Sequence, residues 1–181
     1  GILDDDSEIK SLDCINENAQ YLSNTIEDFR DFFKKSKTKN FVNLNNLLEK
    51  TLKLILSRLK DKEISIIKNS LDIEFETYER EMIQVFMNII QNGIEAIDEE
   101  TGIFNIYIEN EENLEISFET NKEVEEEFEV EKVFSPYFTT KKNGNGLGLA
   151  LCKKIIEEHN GIISVQKNFY NGLTFTVVLV K

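Results

Sequence analysis

The chain has 181 residues, with 34 Asp+Glu against 21 Lys+Arg, a formal net charge of -13, one His, two Cys and no Trp. That length suits one ordinary domain with an appended element. The acidic balance excludes a sequence-independent nucleic-acid binder, which needs cations to neutralise phosphates. Cys14 and Cys152 show neither a disulfide framework nor metal-ligand spacing, and no apolar run approaches the roughly 20 residues of a spanning helix. A cytoplasmic protein is expected.

Residues 7–37 include no Gly or Pro, and Ile9, Leu12, Ile15, Ala19, Leu22, Ile26, Phe29 and Phe33 recur at heptad-like spacing. This predicts a long bundle helix whose apolar stripe needs a partner. No second helix of matching span follows, so the partner is expected to be another chain or a segment outside this one. A polar linker is predicted over 34–40. Asn43 then suits the N-cap of a helix carrying Leu44, Leu47, Leu48, Leu52, Ile55, Leu56 and Leu59.

Strands are predicted at 64–68 and 71–75, a helix over 78–98, and alternating strands at 103–108 and 114–118. Residues 121–145 have no sustained period. A helix resumes at Leu147 and stops near Asn160-Gly161. Strands at 162–167 and 173–180, joined by Asn171-Gly172, close the chain. The order implies an α/β two-layer sandwich of one mixed sheet packed by three helices, preceded by one long bundle helix. The domains are expected at 1–38 and 39–181.

On the 78–98 helix, Ile83, Phe86, Met87, Ile90, Ile94 and Ile97 share one face, and Asn88, Asn92 and Glu95 the opposite one. Asparagine is a poor helix former with no packing reason to recur at i and i+4. Its amide oxygen is a neutral hard ligand suited to Mg²⁺ and its water shell. A solvated polar stripe gives the same pattern. Further along, Asn143-Gly144-Asn145-Gly146-Leu147-Gly148-Leu149-Ala150 runs directly into a helix. Glycines let backbone N–H groups approach phosphate oxygens, and a helix N-terminus favours negative charge. Thr139, Thr140 and Lys141 just upstream supply hydroxyl and ammonium donors. Phosphate binding is the expectation.

These segments together resemble a family. Asn88-Ile89-Ile90-Gln91-Asn92-Gly93-Ile94-Glu95-Ala96 looks like the N box of sensor histidine kinases of two-component systems. Phe134-Ser135-Pro136-Tyr137-Phe138-Thr139-Thr140-Lys141 resembles their F box, and Gly144-Asn145-Gly146-Leu147-Gly148-Leu149 their second glycine box. Gly172-Leu173-Thr174-Phe175 is similar to the closing strand motif. The stretch 7–35 is similar to the second helix of the dimerisation hairpin.

The resemblance implies a Bergerat (GHKL) ATP site under a mobile lid. Asn92 would ligate Mg²⁺, Asn88 would assist at the phosphates, and Glu95 would belong to the nucleotide-binding set. Thr139, Thr140, Lys141, Gly144, Gly146, Leu147 and Gly148 would cover the triphosphate, and Thr174 would sit beside the adenine. The related hydrolytic families carry a general-base Glu four residues before the metal-binding Asn. Asn88 stands there instead, which favours transfer to a side chain over activation of water.

Two departures follow. The family's first glycine box should fall near 119–124, where this chain has Glu119-Thr120-Asn121-Lys122-Glu123-Val124, without Asp or Gly. Glu119 would accept the adenine amino hydrogen only if its longer side chain folds back. Six Glu between Glu123 and Glu131 add negative potential nearby. Second, the acceptor histidine belongs to the first hairpin helix, which this chain lacks, and the single imidazole, His159, falls at a helix end.

The expected function is therefore the ATP-binding catalytic part of a sensor histidine kinase. It would pass the γ-phosphoryl to a histidine outside this chain, for relay to the receiver domain of a response regulator. Its own phosphoacceptor helix and a second copy, joined through the N-terminal helix, are the expected partners. The alternative is a degenerate, weakly or non-nucleotide-binding scaffold, or a phosphatase-supporting module.

Overall fold

The computed structural model describes residues 38–56, 63–69, 71–97, 101–141 and 144–180. The bundle helix, Asn143 and Leu59 lie outside the described residues. The elements run β1 (Asn40–Asn43), α1 (Leu44–Leu56), β2 (Glu63–Lys68), β3 (Glu74–Thr77), α2 (Glu79–Ala96), β4 (Thr101–Asn110) and β5 (Leu114–Thr120). A short 3-10 turn (Val130–Lys132) precedes α3 (Gly148–Glu158), β6 (Ile162–Lys167) and β7 (Leu173–Leu179).

Five strands form one mixed sheet in the order β2-β4-β5-β7-β6, with β2 and β4 parallel and the other pairs antiparallel. Strand alternation decides what each face carries. Phe104, Ile106 and Ile108 of β4, Ile116 and Phe118 of β5, and Phe175 and Val177 of β7 are buried in the core. Ile103 and Tyr107 on the intervening positions are exposed. The three helices cover the first face. This is the expected two-layer sandwich.

Two expectations change. Residues 71–75 were predicted as a further strand of the sheet, whereas Glu74–Thr77 pairs antiparallel with Asn40–Asn43 in a separate ribbon. Asn40, placed in the linker by its polar neighbours, begins that ribbon. A four-residue strand with one apolar pair has no readable period; its partner strand makes it.

α1 starts where expected: Asn43 Oδ1 accepts the Asn46 N–H at 3.1 Å, satisfying a first-turn donor. Leu44, Leu47, Leu48 and Ile55 are buried, and the buried Thr51 hydroxyl donates to the Leu47 carbonyl at 2.8 Å.

α2 packs against both other helices as well as the sheet. Its buried arc is accordingly wider than one face: Met82, Val85 and Ile89 are buried with Phe86, Ile90 and Ile94, whereas Ile83 and Met87 are half-buried. Gly93 sits where α2 crosses β4, and a Cβ there would collide with the Phe104 ring. Glycine inside a helix costs about 0.5–1 kcal/mol relative to Ala. Seating a fully buried Phe, worth roughly 1.5–3 kcal/mol, offsets that.

Candidate functional site

α2 brings Asn88, Asn92 and Glu95 onto one edge, and two other elements close on that edge. The first is the start of α3. Asn88 Nδ2 lies 3.4 Å from the Gly148 carbonyl. Leu147 at the N-cap provides no side-chain acceptor, and no acidic residue occupies the first turn. The N–H groups that begin α3 are therefore left for an acceptor from elsewhere.

The second comprises residues 134–141, which follow a buried Val133, together with residues 144–146. Phe134 packs edge-to-face on Phe175 at 6.2 Å, and Phe138 on Phe128 at the same separation. Tyr137, with φ 67, donates its N–H to the Gly146 carbonyl at 2.9 Å, joining the two stretches. Gly146 has φ 64, and a Cβ there would strike the backbone of Tyr137 and Phe138. Only glycine fits. Gly144 is also crowded, by Thr139 Oγ1, whereas a Cβ at Gly148 would meet Asn88 at ordinary contact distance, 3.6 Å.

Lys141 bridges the two elements. Its ammonium lies 2.7 Å from Asn92 Oδ1 and 2.5 Å from Glu95 Oε2, and Gln91 Nε2 donates to Glu95 Oε1 at 2.6 Å. Thr139 Oγ1 accepts the Lys141 N–H at 3.1 Å, and Asn145 Oδ1 that of Leu147 at the same length. Thr140 is exposed beside them. Beneath Asn88, burial pushes the Cys152 thiol up to about 12, partly countered by a hydrogen bond with Asn88. It stays a neutral packing group.

Glu119 and Thr174 do not join this set. They are register partners on β5 and β7, on the sheet face turned away from the core residues Phe118 and Phe175. Glu119 hydrogen-bonds Tyr107 there; partial burial first, then the Glu119 charge, raise the Tyr107 phenol above its usual value. The residue of β5 that faces the helices is Thr120, which is buried and whose Oγ1 accepts the Lys122 N–H at 3.1 Å. The alternation Leu114-Ile116-Phe118 continues to Thr120, so this inward position was readable from period 2 alone. Gly172 packs so close that a Cβ would collide with the Thr120 carbonyl oxygen.

His159 caps the far end of α3, about 16 Å along the helix from Gly148. Its ring is buried, with Nδ1 2.8 Å from the Ile155 carbonyl and Nε2 3.9 Å from Glu81 Oε2.

The family model described as histidine kinase-, DNA gyrase B- and HSP90-like ATPase matches residues 77–181, which takes in α2, the lid segment and α3. The chain belongs to this family. It is similar to the sensor histidine kinase ZraS of Escherichia coli K12, with 32% identity over 140 residues. That match covers 76% of this chain and only 30% of ZraS, so the chain spans about a third of that relative's length. The fold matches the catalytic domain of the histidine kinase ThkA at TM-score 0.67 and 32% identity, over 79% of this chain and 95% of that one. A structure of ThkA in complex with the response regulator TrrA aligns at TM-score 0.74 and 27% identity, over 99% of this chain and 53% of that one. The ATPase domain here is thus of the GHKL sensor-kinase type. No helix among the described residues is long and apolar enough to cross a membrane.

Proposed function

We propose that this chain is the Mg-ATP-binding catalytic part of a sensor histidine kinase. The observation that carries the reading is the meeting of Asn88, Asn92 and Glu95 with an uncapped helix start and a glycine-shaped lid. The donor set fits Mg²⁺: it is all oxygen, already seats a cation in the Lys141 ammonium, and is small. Mg²⁺ keeps several waters and draws further ligands from substrate phosphates, so one amide oxygen and a nearby carboxylate suffice. Asn92 would ligate it, and its chemistry there is to neutralise charge on the triphosphate.

The protein's own residues do the rest. The N–H groups of Gly148, Leu149 and Ala150 donate to phosphate oxygens, Gly146 lets the lid backbone approach, and Lys141 supplies a positive charge. Asn88 is an amide and cannot take a proton from water. The site therefore positions a phosphoryl group without a hydrolytic base, which suits transfer to a side chain. His159 is buried at the wrong end of α3, so the accepting histidine belongs to a helix outside this chain. A receiver domain of a response regulator then takes the phosphoryl, in the cytoplasm where ATP is. The stripe 9–33, with its heptad spacing, is the proposed dimer contact.

Calorimetric titration with ATP tests the reading. Binding that disappears on chelating Mg²⁺ is expected; no binding at millimolar ATP overturns it. With labelled ATP, the chain alone is expected to incorporate no acid-labile phosphate. Labelling abolished by His159→Ala would move the acceptor into this chain.

A further inference from the structure

The amide oxygen assigned to the metal is already engaged by a cation that belongs to the protein. Lys141 Nζ contacts both Asn92 Oδ1, at 2.7 Å, and Glu95 Oε2, at 2.5 Å, while Gln91 holds the other oxygen of that carboxylate. The backbone beneath the lysine is anchored: its N–H binds Thr139 Oγ1, and its carbonyl accepts the Gly144 N–H at 3.3 Å. The side chain is not. It is 40% exposed, on a four-carbon stem that can swing without moving the turn.

A divalent ion on Asn92 would lie within a few ångströms of that ammonium. Repulsion at such range persists even with the screening of water, and it is doubled for a dication. Free Mg²⁺ would also have to replace the lysine at Glu95. A triphosphate changes the balance, because its anionic oxygens give the displaced ammonium a new partner. The lysine and the metal thus exclude each other only while nucleotide is absent.

We propose that Lys141 is the resident counter-ion of the metal position: it bars divalent cations from Asn92 and Glu95 until the metal arrives with a triphosphate, to which the ammonium is then handed. The hand-over rests on the ATP-site reading above; the exclusion of free metal rests on the two contacts alone. One consequence is order. The metal enters as its nucleotide complex.

Mn²⁺ alone, followed by electron paramagnetic resonance on the 181-residue chain, separates the two halves. Lys141→Met is expected to bind Mn²⁺ at least about tenfold more tightly than the unmodified chain without nucleotide, since a repelling charge has left and Glu95 has lost its partner. Adding Glu95→Gln is expected to cancel that gain. Equal Mn²⁺ affinity in the unmodified chain and Lys141→Met overturns the proposal. So does a gain that survives Glu95→Gln, which would put the ion elsewhere. Lys141 is exposed, and unchanged far-UV circular dichroism confirms the fold. For Mg-ATP the same variant is expected to move the other way, losing about tenfold, because the phosphates lose a charged donor. Tighter Mg-ATP binding by Lys141→Met overturns the hand-over. Failure of every variant to bind ATP would sink the ATP-site reading while the Mn²⁺ titrations still decide the counter-ion role.

Discussion

Along the edge of α2, Asn88, Asn92 and Glu95 each meet a partner from α3 or from the lid. At the ends of β5 and β7, Glu119 and Thr174 instead face one another on the side of the sheet away from the core. The first region is assembled toward one point; the second offers that point only Thr120 and the close turn at Gly172. The difference follows from periodicity. A helical row at i, i+4 and i+7 stays on one edge through small errors of phase, whereas a strand reverses its faces with every residue. The side assigned to phosphate and metal therefore carries its polar groups in place. The side that the resemblance assigns to the base presents Thr120 there, with the Glu119 carboxylate on the opposite face.

Asn92→Ala gives the largest effect. Mg-ATP affinity is expected to fall by about 10–100-fold or more, as for lost metal-site support, with circular dichroism unchanged. Calorimetry checks it, and an unaltered affinity would remove α2 from the site.

The lid glycines sharpen the same side. Gly146→Ala forces a left-handed conformation on alanine, costing about 1–2 kcal/mol, and drives its Cβ into the Tyr137–Phe138 backbone. Nucleotide affinity is expected to drop roughly tenfold. Gly148→Ala meets only ordinary contacts with Asn88 and improves helix propensity by up to about 1 kcal/mol. Its urea midpoint is expected to hold or rise. Equal damage from both would mean the lid backbone is not what the glycines serve.

On the base side, Thr120→Asp restores a helix-facing carboxylate. ATP is expected to bind several-fold more tightly, on the order of one charge-assisted hydrogen bond, while the free protein loses stability because the position is buried. Unchanged affinity would detach β5 from base recognition.

Glu119→Gln is the smallest change. Nucleotide affinity is expected to stay within about twofold, whereas the Tyr107 phenol should ionise at lower pH. The sign follows from charge: a carboxylate beside the phenol disfavours phenolate, so its removal lowers the value. Ultraviolet titration of the tyrosines reads this. A large loss of ATP binding would bring Glu119 back into the site.

The sequence by itself determined the helix-borne half of this protein. The 3.6-residue period and the Asn43 cap locate α1 and α2, and the same period brings Asn88, Asn92 and Glu95 onto one edge. The run from Gly144 to Gly148 likewise announced a constrained loop entering a helix. Such signals are local, so they survive in one dimension. Three things were settled only in three dimensions. The ribbon of β1 with β3 exists because two short strands, each without a period of its own, meet across α1. That Glu119 lies opposite Thr174 depends on strand register, which no single strand's pattern states. The Lys141 contact joins groups 46 and 49 residues apart, and no spacing rule predicts which lysine of a polar loop turns inward. Long-range pairing is decided by how the lid folds back over α2, and that is a property of the packed molecule.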